Sequence, residues 1–89
     1  MSRFTISFEF SPNKEEVEKG IRAALRKGRP RMDWVETLQS IAWTNDRSCV
    51  IAVTYGARGE ETTKDAILTY LLEQFDPPYE SDIDVSIYY

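Results

Sequence analysis

Residue types able to do covalent chemistry are sparse in this chain. Cys49 is the one cysteine and there is no histidine, so neither the thiol nor any serine has an imidazole to take its proton. The same shortage removes the usual zinc and redox-metal constellations, which draw on cysteine and histidine. A lone cysteine inside an apolar run reads as a small buried hydrophobe. Carboxylates such as Asp33 and Glu36 suit acid–base work, but no partner of defined role accompanies them. No catalytic, cofactor-binding or metal-ligating residue is therefore assigned, and no cofactor is expected. The residues lean away from an enzyme.

Three features remain that could recognise something. Arg22, Arg26, Lys27, Arg29 and Arg31 form a basic group that could hold a phosphate or an acidic partner. The competing explanation, a solvated helix end whose cations suit the helix dipole, is preferred because the chain as a whole is acidic. Gly56-Ala57-Arg58-Gly59 precedes a helix as anion-binding loops do, yet it lacks the Lys-Ser/Thr ending of a P-loop. Glu60 and Glu61 would repel phosphate there, so a plain turn is the better reading. The third feature is apolar residues on both sides of a hairpin. If Ile51 and Val53 join Leu38 in the core, then Ile41, Trp43 and Val50 face the uncovered side of the sheet, with Trp34 near the start of that arm. Such a patch on a small protein marks contact with another chain. The alternative is that a bulge, or packing by Tyr88 and Tyr89, covers these side chains internally.

The elements that position these residues follow from periodicity. Ser40 to Tyr55 is the organising stretch, two β-rich runs about a turn at Asn45-Asp46. Its second arm, Cys49 to Val53, is apolar throughout, as in the centre of a sheet. Arg3 to Phe10 alternates strictly, with Phe4, Ile6, Phe8 and Phe10 on one face and Thr5, Ser7 and Glu9 on the other. Ser11-Pro12 opens a helix in which Asn13 and Glu16 offer a capping box and Val17, Ile21 and Leu25 an apolar stripe. Gly20 and Ala24 let that helix approach the sheet closely, and Gly28 ends it. Residues 33 to 44 conflict, since Trp34, Leu38 and Ile41 suit a helix face while Thr37, Gln39, Ile41 and Trp43 alternate as a strand. A strand from Val35 to Thr44 is preferred, because the hairpin needs a first arm. A second helix starts at Thr62, presents Ile67, Leu68, Leu71, Leu72 and Phe75, and stops at Asp76-Pro77-Pro78. Ser81 to Tyr89 alternates once more, with Asp82 and Asp84 guarding a sheet edge.

The resulting order, β-α-β-β-α-β, is the ferredoxin-like arrangement: an α+β sandwich with a four-stranded antiparallel sheet and both helices on one face. The resemblance concerns topology alone, and this topology hosts many activities. RNA recognition by such a sheet needs exposed aromatics on its central strands, whereas Thr5, Ser7 and Glu9 are polar and the third strand lacks the motif.

Composition sets the outer limits. Eighty-nine residues with 42% hydrophobic and 29% charged content suit a single domain over residues 1–89 that folds rather than a disordered chain. A net charge of −4 makes nucleic acid an unfavoured partner and disfavours anionic membrane surfaces. The N-terminus alternates instead of carrying an apolar block, and no run is long enough to span a bilayer, so the cytoplasm is the expected location. The function expected is a small non-enzymatic protein–protein interaction module, a regulator or inhibitor that binds another protein or itself as a homodimer. A small dimeric ferredoxin-like enzyme or ligand-binding protein is the alternative, and a nucleic-acid or nucleotide binder using the Arg22–Arg31 group comes third.

Overall fold

Alternation of large apolar with small polar side chains is enough to raise β1 (Ser2–Phe8) and to decide its faces: Phe4, Ile6 and Phe8 are buried, while Thr5 and Ser7 are not. A computed structural model describes residues 2–26, 38–54 and 59–88 of the chain. Within them β1 is followed by α1 (Lys14–Arg26), β2 (Leu38–Asn45), β3 (Ser48–Val53), α2 (Glu60–Phe75), a short 3-10 turn (Glu80–Asp82) and β4 (Ile83–Ile87). The strands form one sheet in the order β2-β3-β1-β4, each neighbouring pair antiparallel. This is the α+β, ferredoxin-like order, with β3 and β1 central as their sequences require.

One core lies between the sheet and the helices. Phe4, Ile6, Cys49, Ile51, Val53, Ile83 and Val85 meet Val17, Ile21, Leu25, Ile67 and Leu71, all buried. In α1 the Asn13 side chain accepts a hydrogen bond from the Glu16 amide at 3.1 Å, the capping contact its spacing implies. The helix begins at Lys14, after Pro12 rather than on it. Gly20 does permit a close approach, but to α2 and not to the sheet. A Cβ there would run into the Gln74 carboxamide oxygen and lie 3.3 Å from the Leu71 Cδ2. The Gln74 Nε2 meanwhile donates to the Glu16 carbonyl at 2.8 Å, so this polar side chain lies across the seam between the helices.

The second helix starts two residues earlier than its sequence suggested, at Glu60, with Gly59 as its cap residue in extended conformation and no side-chain cap. Thr62 is thus already inside the first turn rather than at the start of the helix. The helix ends where expected. Asp76 adopts the left-handed conformation (φ 45°, ψ 56°), and its amide closes on the Leu72 carbonyl at 2.9 Å before Pro77 halts the chain. Asp82 belongs to the 3-10 turn rather than to the last strand, and its carboxylate accepts from the Tyr79 amide at 3.3 Å. Gly28 and the connector Arg29-Pro30-Arg31 lie outside the described residues, as does the strand-or-helix conflict from Asp33 to Thr37.

Candidate functional site

The hairpin decides which side chains the molecule offers to others. Asn45 and Ser48 pair across a turn at Asp46-Arg47, and the Asn45 Oδ1 accepts from the Arg47 amide at 2.7 Å. From there β2 and β3 run in register through Trp43↔Cys49, Ala42↔Val50 and Ile41↔Ile51 to Ser40↔Ala52, and then Leu38 pairs with Val53. Between Ser40 and Leu38 strand β2 advances two residues while β3 advances one, so Gln39 is an extra residue. Its side chain donates to the Thr54 hydroxyl. A second irregularity falls at Thr44, whose hydroxyl donates to the Ser48 carbonyl at 3.2 Å.

That inserted residue reverses the parity of β2, and with it part of the sequence-based assignment. Leu38, Ile41 and Trp43 all point to the helix-covered side, because Ile41 and Trp43 stand opposite the buried Ile51 and Cys49. Leu38 is buried in the core, while Ile41 and Trp43 are half-buried and pack against it. Trp43 stacks on Phe8 (6.4 Å between ring centres), and Phe8 in turn meets Phe10 and Phe75 at 5.5 and 6.0 Å. The Lys14 ammonium sits 5.4 Å from the Trp43 ring and 3.4 Å from the Asp46 carboxylate, tying the start of α1 to the hairpin tip. The expectation that Ile41 and Trp43 lie on the open face is therefore corrected, while Val50 does lie there, opposite Thr5 and Ala42. Trp34 lies outside the described residues.

The open face itself is built of small side chains. Thr5 and Ser7 of β1, Val50 and Ala52 of β3, Ser40 and Ala42 of β2 and Ser86 of β4 share it by register. Arg3, Ser40, Ala42, Val50, Ala52 and Tyr88 line a shallow depression of about 310 Å³. Tyr88 is held beside β1 by its amide, which donates to the Arg3 carbonyl at 2.9 Å, and its side chain is 50% exposed. Arg3 and Tyr88 were missed as members of this site. The alternation that placed Thr5 and Ser7 on the open face would have found Arg3, whereas Tyr88 lies one residue beyond the last strand.

Two members of the basic group, Arg22 and Arg26, are described, one turn apart on α1. Arg22 and Arg26 are both exposed, and Arg22 pairs with Glu18 one helical turn back at 3.0 Å. Lys27, Arg29 and Arg31 lie outside the described residues. Cys49 is fully buried, and burial pushes its thiol up to about 12, so no thiolate forms near neutral pH. A depression beside the end of α2 gathers Glu73, Asp76 and Glu80 around Leu72 and Pro77. No group of three or more residues among the described ones has the makings of a metal site. Nor is any helix among them long and apolar enough to cross a membrane.

Known proteins add nothing to this geometry. No family model, no curated protein and no solved structure matches the chain. Its functional reading rests on the open face, the hairpin and their chemistry alone.

Proposed function

We propose that this chain is a non-enzymatic protein-interaction module, a regulator or inhibitor that acts by binding another protein or a second copy through its sheet. The observation that carries the reading is the open face: a shallow depression of Ser40, Ala42 and Val50, beside Thr5, flanked by the exposed Arg3 and the half-exposed Tyr88. Small side chains let a partner approach the backbone closely, and tyrosine and arginine are the types that most often anchor protein contacts. Asp84 on the same face gives it both signs of charge, which favours a protein partner over a polyanion. Four strands of about six residues offer roughly 19 by 20 Å, or about 400 Å². That is half the area of about 800 Å² per partner found in stable complexes. A partner held tightly must therefore reach beyond the face, and a partner held by the face alone exchanges readily.

Affinity capture from the source cell tests the reading. Wild-type protein should retain a specific protein, and the variant carrying Arg3→Glu with Tyr88→Ala should lose it while keeping its circular dichroism. Retention unchanged by those substitutions places the contact elsewhere and sinks the proposal.

A further inference from the structure

We infer that the outer edge of β2 pairs antiparallel with β2 of a second copy, giving a continuous eight-stranded sheet whose two-fold axis passes between the two Ala42 residues. The pairing deepens the interaction-module reading above and rests on it.

The two edges of the sheet are not alike. An edge strand presents a row of unpaired amides and carbonyls, and proteins that must stay single guard such rows with charge, proline or bulges. The β4 edge is five residues long and carries Asp84. The β2 edge is eight residues long, Leu-Gln-Ser-Ile-Ala-Trp-Thr-Asn, with no charge and no proline, and no strand covers it among the described residues. Its two irregularities bend the ends of the edge but leave Ser40 to Trp43 in regular register, and among the described residues no strand pairs with that middle stretch.

Symmetry and composition identify the occupant. A two-fold axis normal to a sheet pairs antiparallel strands so that residues sharing a face stand opposite one another. Centred on Ala42, it sets Ala42 against Ala42 and Ile41 against Trp43 of the second copy. Small residues meet across the open face, and the aliphatic–aromatic pair falls on the helix side. Ile41 and Trp43 are the β2 side chains that pack on the core while remaining only half-buried. A neighbouring strand would complete their cover, and the strand that matches them is their own.

Sedimentation of the whole chain across about three decades of concentration tests the pairing, because self-association follows mass action. The wild type should pass from one-chain to two-chain mass. Ala42→Lys and Ala42→Glu, both at an exposed position, should each raise the midpoint concentration at least about fivefold, since like charges then stand directly opposite. An equimolar mixture of the two should restore association. Ser40→Lys serves as a second edge variant if Ala42→Lys fails to fold. Lys19→Glu, at an exposed position of α1 outside the sheet, should leave association unchanged. A chain that stays monomeric throughout overturns the inference, and if it still captures a partner protein the interaction-module reading survives. Association that resists Ala42→Lys, or that Lys19→Glu abolishes equally, overturns it too, because the copies would then be meeting elsewhere.

Discussion

Replacing Trp43 by serine separates the two faces of β2 by their energies. A packed tryptophan buries about 150–250 Å², so half-burial removes about 100 Å² from water, worth about 2.5–3 kcal/mol. The stacked contact with Phe8 adds about 0.5–1.5 kcal/mol, and the Lys14 ammonium over the ring about 0.5–1 kcal/mol at an exposed site. The expected loss is therefore about 4 kcal/mol, a large part of the ~5–15 kcal/mol that holds a domain together. Urea unfolding followed by circular dichroism reads it: with a slope of roughly 1 kcal/mol per molar, the midpoint should fall by about 4 M. Trp43→Phe should recover more than half of the loss, since a ring still meets Phe8. Ala42→Ser, one residue away on the exposed side, should change stability by less than about 0.5 kcal/mol. A loss below about 1 kcal/mol for Trp43→Ser would refute the bulged register and return Trp43 to the open face.

Three further perturbations probe the packing. Gly20→Ala gains about 1 kcal/mol of helix propensity but must displace the Gln74 carboxamide, so alone it should be near neutral. In a Gln74→Ala background the same change should stabilise, and a double-mutant cycle should show coupling of about 1 kcal/mol, additivity being the contrary result. Cys49 should resist alkylation in the native state. Because its folded thiol is raised to about 12, the unfolded chain holds fewer protons above the ordinary thiol range. Stability should then fall by up to about 1.4 kcal/mol per pH unit as pH rises from about 9 towards 12. Cys49→Ala should lack that component of the slope, and an identical pH profile would contradict it. Asp76→Gly should stabilise by about 0.5–1 kcal/mol in thermal melts, since glycine adopts the left-handed conformation freely and a carboxylate at a helix C-terminus is unfavourable; a destabilised variant would contradict both arguments.

Much of the fold was legible because single-face burial writes itself into alternation. Phe4, Ile6 and Phe8 against Thr5 and Ser7 defined β1 and its faces, and the unbroken apolar run Cys49 to Val53 identified the central β3. Asn13 revealed its capping role by spacing alone. The candidate site was less legible, for one physical reason. An inserted residue changes strand parity without changing composition, so Gln39 moved Ile41 and Trp43 from the expected open face to the core side while Leu38 stayed put. The Gly59 start of α2 was hidden because glycine caps through its backbone and leaves no side-chain signature. That Gly20 faces α2 depended on how the two helices pack, which their separate periodicities do not encode.

The measurement closest to the central proposal is amide hydrogen exchange on the chain alone and on the chain held by its captured partner, whether another protein or a second copy. Amides slow down where pairing or burial is added. If the sheet is the docking element, binding should slow exchange in Ser40 to Thr44 and around Arg3 and Tyr88, and leave α1 and α2 unchanged. Protection confined to the outer faces of those helices, with Ser40 to Thr44 exchanging as in the free chain, would contradict it.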